Sequence, residues 1–295
     1  MVRLTVRKKT DEEQGNSAMT MTRLTVVVDN QAGDGLIAEH GYSLWIEAND
    51  RVILFDTAES KCLLPNCRTL GLDLSRVTDL VLSHGHYDHT GGIALVLAEA
   101  GRPQVYLHQA ALQPRYVLRN GTTIESVRMP EHSMQALDHL PGEAIHWLTR
   151  PTQIAARIGV TGPIQRLTSY EDPGAPFFFD QVGQRPDLID DDVSMWLRTR
   201  MGLVICVGCA HAGIVNIVNE IVRITGERRI DTIIGGLHLL HAGPERLQQT
   251  VQALNGLDLK RLVACHCSGA SAVDYLSQHL TCQVLRGHSG LSLAF

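Results

Sequence analysis

Ser83-His84-Gly85-His86-Tyr87-Asp88-His89-Thr90-Gly91-Gly92 decides how this chain reads. Four side chains able to hold a metal fall within six residues: His84, His86, Asp88 and His89. Imidazole nitrogen with carboxylate oxygen suits zinc, manganese or iron. No regular element gathers all four. On a strand His84 and His86 share a face while His89 points away. On a helix His84 and His86 stand roughly 200° apart. The spacing therefore predicts a loop whose side chains converge. Its flanks predict a short buried strand over Asp79-Leu80-Val81-Leu82-Ser83 and a helix opening at Gly91-Gly92-Ile93. The bland alternative is a polar loop rich in histidine. With 14 histidines in 295 residues, His-x-His-x-Asp-His arises by chance in about two such chains per thousand, so the chemical reading prevails.

Outward from the loop, strands and helices alternate at short intervals, which predicts a layered α/β structure. Arg23-Leu24-Thr25-Val26-Val27-Val28 reads as the first strand, and residues 43–47 and 51–56 as two strands around Ala48-Asn49-Asp50. Residues 61–70 read as a helix closed by Gly71, and 103–108 as a strand ending in His108, for which a hydrogen-bonding role is expected. After residue 188 the rhythm resumes. An apolar strand ends in Gly208-Cys209-Ala210-His211, the next in Gly235-Gly236-Leu237-His238, and the last core strand in Cys265-His266-Cys267-Ser268-Gly269. Cys265 and Cys267 are expected to face away from His266 on an extended segment, as packing or supporting residues.

Composition bounds the function. At 44% hydrophobic and 19% charged, the chain is an ordinary globular one. A net charge of −5 offers no basic footprint for nucleic acid. No apolar run reaches the length of a membrane span, and the N-terminal residues lack an apolar signal core, so a cytoplasmic protein is expected. Seven cysteines, an odd number, read as thiols rather than a disulfide framework. Residues 1–20 are expected to be a poorly ordered extension, and 21–295 one domain. Within it, residues 109–188 lose the regular alternation. Breakers such as Asp172-Pro173-Gly174, arginines including Arg115, Arg119 and Arg166, and the Phe177-Phe178-Phe179 run predict an inserted cap over the cleft.

The loop motif resembles the signature of the metallo-β-lactamase-fold hydrolases. Val28-Asp29-Asn30, Glu39-His40-Gly41, Ile53-Leu54-Phe55-Asp56-Thr57 and the three strand ends above resemble, more narrowly, the branch of the dihydropterin-type ribofuranosylaminobenzene 5'-phosphate synthases. The likeness covers about residues 23–108 and 190–270. It departs at Ala58, where relatives carry glycine, and at Pro163 and Gln165, where they carry an acid and a proline. The resemblance implies an αββα four-layer sandwich with the site at the rim between the sheets. It implies one metal on His84 and His86, a second on Asp88 and His89, His266 as the final metal histidine, and Cys209 at the bridging place of an aspartate, with His211, two residues on, as a competing donor. No Pro-Gly-His-Thr segment precedes Gly208, so an acid of Asp191-Asp192, Asp192 above all, is expected to replace the missing histidine.

Two divalent ions, zinc foremost with manganese or iron as alternatives, are thus expected. So is a water activated between them, acting on a small ester or phosphoester, with an anionic small molecule as substrate. Asp88, His211 and His238 are the expected catalytic side chains: Asp88 beside the nucleophile, the histidines beside the leaving group. Two alternatives stand. One is phosphoribosyl transfer, as the synthase branch implies; the other is a non-catalytic metal- or ligand-sensing domain. A homodimer is compatible with the sequence.

Overall fold

The structure is a computed structural model that describes residues 21–121 and 123–295. The expected extension over residues 1–20 lies outside the described residues. The chain opens with β1 (Arg23–Val28), β2 (Ser43–Ala48), β3 (Arg51–Phe55), α1 (Leu63–Leu70) and β4 (Asp79–Val81). The metal loop then runs into a single helical turn, α2 (Tyr87–Thr90), before α3 (Ile93–Ala100) and β5 (Gln104–Leu107). Next come β6 (Tyr116–Arg119), β7 (Thr123–Ser126), α4 (Glu131–Asp138), β8 (Ile145–Trp147), β9 (Thr152–Ala155), β10 (Ile158–Val160) and β11 (Phe177–Phe178). The last part holds β12 (Met195–Thr199), β13 (Gly202–Val207), α5 (Ile214–Thr225), β14 (Arg229–Gly236) and α6 (Pro244–Asn255). It closes with β15 (Asp258–Cys265), α7 (Ala270–His279), β16 (Gln283–Arg286) and β17 (Ser292–Ala294).

Two seven-stranded sheets form the centre, in the orders β17-β1-β2-β3-β4-β5-β8 and β16-β15-β14-β13-β12-β10-β9. Alternation along each strand explains why they stack. Leu44 and Ile46 of β2, Ile53 and Phe55 of β3, and Val204 and Cys206 of β13 share one core between the sheets. Their neighbours Trp45 and Leu54 instead join Leu63, Ile93 and Val96 under α1 and α3. Leu203, Ile205 and Val207 join Ile217, Ile221, Leu254 and Leu276 under α5, α6 and α7. Three apolar interfaces therefore separate four layers, helix, sheet, sheet, helix, as the resemblance implied. Each fully buried aliphatic side chain contributes about 1.5–3 kcal/mol to this packing.

Residues 109–188 are not a separate insertion throughout. β8 pairs in parallel with β5 in the first sheet, and β10 pairs antiparallel with β12 in the second. Only β6, β7 and β11 stand apart, as a three-stranded sheet. β8, at the edge of the first sheet, and β10, between β12 and the edge strand β9 in the second, have three residues each, too few for a two-residue period to stand out among the breakers around them.

In each sheet the strands nearest the site run parallel: β3, β4 and β5 in the first, β13, β14 and β15 in the second. Loops at the carboxyl ends of parallel strands gather on one rim, the usual place for a ligand site. Asp56, the metal loop, Cys209, His238 and His266 all follow such ends.

Candidate metal centre

The site rests on a buried polar floor. Asp56, fully buried just after β3, accepts hydrogen bonds from Ser83 N at 2.7 Å, Ser83 Oγ at 2.6 Å and His89 Nδ1 at 2.7 Å. Ser83 Oγ in turn lies 2.9 Å from His84 Nδ1. Since that hydroxyl already donates to Asp56, it accepts from His84. A Cβ on Gly208 would fall 2.1 Å from Ser83 Oγ, so only glycine lets β13 close on this floor. From the other side, Asp191 Oδ2 accepts from Gly85 N at 2.8 Å, between His84 and His86. Arg115, 1% exposed, grips the same carboxylate through Nη2 at 2.6 Å and also binds Asp187 at 2.7 Å. Burial disfavours the Arg115 charge, yet Asp191 and Asp187 outweigh it and raise its pKa. A buried charge held so closely is a positional clamp on the metal loop.

Above the floor two donor sets meet. His84 Nε2 lies 2.9 Å from His86 Nδ1 and 3.2 Å from His211 Nε2. In the second set, His266 Nε2 lies 3.3 Å from His89 Nε2 and 3.2 Å from Asp88 Oδ2, which His40 Nε2 also approaches to 3.2 Å. Cys209 Sγ sits 3.2 Å from His89 Nε2. It belongs with His84 and His211 in one group of mutually close ligand atoms, and with His89 and His266 in another. Two ligands of one tetrahedral zinc stand about 3.3 Å apart when each bond is near 2.0–2.1 Å. The His84–His211 and His89–His266 spacings match that edge, while His86 stands beside them with its Nε2 buried and without a partner. The residues therefore fit two divalent cations flanking Cys209.

The far nitrogen of most of these rings is occupied, which fixes the near one as the donor. His89 Nδ1 donates to Asp56, His211 Nδ1 to the Pro173 carbonyl at 2.8 Å, and His266 Nδ1 to Asn30 Oδ1 at 2.8 Å. Asp29 Oδ1 accepts from His266 N at 2.6 Å. Burial, then neighbouring cationic groups, hold His84, His86 and His211 well below the usual imidazole range, so they are neutral lone-pair donors. His89 differs. Burial opposes its charge, but Asp56 and Asp88 win and raise its pKa to about 9. Burial likewise pushes Asp88 up, but His89, His266 and His40 draw it well below the carboxylate range. Burial and the adjacent Cys267 push the Cys209 thiol well up. Asp56, Ala210, His238 and His266, none of them glycine, take left-handed φ of 61°, 55°, 48° and 49°, strain of the kind functional sites store.

A family model described as the metallo-beta-lactamase superfamily matches residues 36–215, more than half of the chain. The chain belongs to the metallo-β-lactamase superfamily. Its members typically bind metal ions such as zinc. The chain is 28% identical over 275 residues to the 7,8-dihydropterin-6-methyl-4-(beta-D-ribofuranosyl)-aminobenzene-5'-phosphate synthase of Methanocaldococcus jannaschii, spanning 88% of this chain and 90% of that protein. The crystal structure of Tm1679, a metal-dependent hydrolase of the beta-lactamase superfamily, aligns at a TM-score of 0.79 with 31% identity, covering 92% of this chain and 98% of that one. Zn(2+)-bound PqqB from Methylobacterium extorquens shares the fold alone, at a TM-score of 0.57 and 11% identity, over 92% of this chain and 99% of that one.

Within this superfamily member, the loop residues His84, His86, Asp88 and His89 converge with Cys209 and His266 on one cleft. Asp88 and His89 do so from a helical turn rather than from an irregular loop. His211, expected either as a donor competing with Cys209 or beside a leaving group, stands among the donors of the first set. Asp192 is placed differently from its expected role: its Oδ2 accepts from Ala212 N at 2.7 Å, and it joins no group of ligand atoms among the described residues. Burial raises its pKa to about 7. Cys265 packs in the core between the sheets, as expected, but Cys267 does not face away. The left-handed turn at His266 swings Cys267 Sγ to 3.3 Å from Cys209 Sγ. His40, Asn30 and the Arg115–Asp191 clamp escaped the residue-by-residue reading. Only the quoted Asp29-Asn30 and His40 stretches signalled the first two, and nothing local signalled the clamp.

A cleft of about 240 Å³ opens over the donors, lined by His86, Asp88, Cys209, His238 and His266 and walled by Val117 and Phe177 of the small sheet.

Proposed function

We propose that the protein is a metal-dependent hydrolase that cleaves an ester or phosphoester of a small anionic molecule at a binuclear zinc centre. The observation that carries this reading is the pair of donor sets sharing Cys209 beneath a single small cleft. Its 240 Å³ lies a little below the roughly 300–1,000 Å³ of drug-sized ligand sites, room for a modest substrate. When bound, a pair of divalent cations lowers the pKa of water toward 7 and balances charge developing on the substrate oxygen. The chain does the rest. Asp88, kept ionised by its histidine neighbours, accepts a hydrogen bond from the attacking water and orients it. His238, whose ring lies 4.4 Å from that of His211 and whose Nδ1 is buried without a partner, faces the same cleft and is placed to steady the departing oxygen. Val117 and Phe177 exclude water from one wall. Arg119, at the mouth and paired with Glu125 at 2.7 Å, is available to an anionic substituent.

The likeness to the Methanocaldococcus jannaschii synthase over 90% of that protein favours a second reading, a condensation of two substrates with departure of a phosphate-bearing group. A panel of phosphomonoesters, phosphodiesters, lactones and thioesters, run with zinc and with manganese, separates the two. Turnover of a single substrate that collapses in Asp88→Asn supports hydrolysis. Silence across the panel, with product formed only when two substrates are present, supports the synthase reading.

A further inference from the structure

We infer that Cys267 and His238 join Cys209 in a thiolate-bearing metal position contiguous with the histidine centre, one that takes a thiophilic divalent cation. This rests on the metal-centre reading above, and where the position is filled it takes the place of the leaving-group role given there to His238. Cys209 Sγ, Cys267 Sγ and a ring nitrogen of His238 all lie within 4.8 Å of one another. The two sulfurs, 3.3 Å apart, are far beyond the ~2.05 Å of a disulfide. They lie close to the ~3.8 Å edge expected of two thiolates on a tetrahedral zinc with bonds near 2.3 Å.

The backbone is cut away to admit these side chains. A Cβ on Gly236 would meet Cys267 Sγ at 2.6 Å and the Gly208 carbonyl at 2.6 Å. A Cβ on Gly174 would fall 1.7 Å from His238 Cδ2. Both carriers are preceded by, or are themselves, non-glycine residues in left-handed backbone: φ is 49° at His266 and 48° at His238. Extended backbone at residue 266 would turn Cys267 the other way. Packing alone does not account for the arrangement, because Cys209, Cys267 and His238 line the cleft, whereas Cys265 lies between the sheets. On metal binding each thiol releases its proton to solvent as a sulfur–metal bond forms. Two thiolates and an imidazole select zinc or cadmium over manganese or magnesium.

Cobalt(II) substitution of the whole protein tests the assignment. Thiolate-to-cobalt charge-transfer absorption scales with the number of sulfur ligands. The expected result is a clear partial loss of intensity in Cys267→Ser, a larger loss in Cys209→Ser, whose thiolate also serves the histidine sets, none in the double variant, and full intensity in Cys265→Ser. Full intensity in Cys267→Ser would overturn the proposal. If Cys267→Ser fails to fold, cadmium-113 NMR of the wild-type protein decides. A resonance in the two-sulfur range supports the site, and shifts confined to nitrogen, oxygen and at most one sulfur overturn it. Bound-metal stoichiometry is measured on the same samples. A protein that binds no cobalt at all breaks the metal-centre reading itself, whereas cobalt bound without a second thiolate breaks only this one.

Discussion

The two donor sets are built from the same residue types yet differ in charge. The first, His84, His86 and His211, is buried, neutral and free of carboxylates. The second, Asp88, His89 and His266, carries an ionised carboxylate and a histidine whose pKa is raised to about 9 by Asp56 and Asp88. Half-exposed His40 touches it from the cleft side. The contrast teaches where the work divides. The histidines of the first set would offer a cation neutral lone pairs only, leaving the shared Cys209 as its one anionic donor. The second set would add a carboxylate, which offsets more of a cation's charge and, in the proposed hydrolysis, stands beside the attacking water.

The contrast can be broken most severely from below. Asp56→Ala strips His89 and Ser83 of their shared acceptor in a fully buried place. It should destabilise the protein by about 3–5 kcal/mol, read as a shift in chemical denaturation midpoint. An unchanged midpoint would show that the floor is not what holds the second set. Next, His211→Ala and His266→Ala should each remove about one metal equivalent, but from different sets. Metal analysis should therefore find one ion left in each single variant and none or nearly none in the double. Loss of both ions from either single variant would mean one cooperative centre rather than two sets.

Asn30→Ala releases His266 Nδ1, a contact 2.8 Å long, together with the weaker contacts to Gly41 N at 3.2 Å and His40 Nδ1 at 3.4 Å, and touches no donor of the first set. Metal affinity at the second set should fall about 10–100-fold while the first keeps its ion, as competition with a chelator would reveal. Equal weakening of both would erase the distinction drawn here.

The mildest test concerns Asp192, whose pKa burial raises to about 7. An acid with a raised folded pKa contributes its stability below the unfolded value near 3.8 and loses it as pH climbs through about 7. Asp192→Asn, which can still accept from Ala212 N, should raise the melting temperature at pH 8 and leave it little changed at pH 3. Metal content should not move. A fall in bound metal would restore Asp192 to the ligand role that its place in the sequence suggests.

Much of this molecule is legible along the chain because the signals are local. Spacing alone required His84, His86, Asp88 and His89 to converge, and the continuous apolar runs of β2, β3 and β13 already specified strands buried on both faces. Asp56, Cys209, His238 and His266 stand where the runs of β3, β13, β14 and β15 stop. The tertiary structure decided what no local rule carries. Residues 145–160 complete the two sheets because strands of three or four residues are held by pairing with their neighbours in the sheet, β8 on β5 and β10 on β12, rather than by their own pattern. His211 rather than Asp192 reaches His84, because the backbone turns left-handed at Ala210 and the Ala212 N–H claims the carboxylate. Cys267 meets Cys209 because the same kind of turn at His266 breaks the alternation an extended segment would impose. Arg115 finds Asp191 across 76 residues of sequence, a pairing that burial makes strong and that only the folded chain brings within reach.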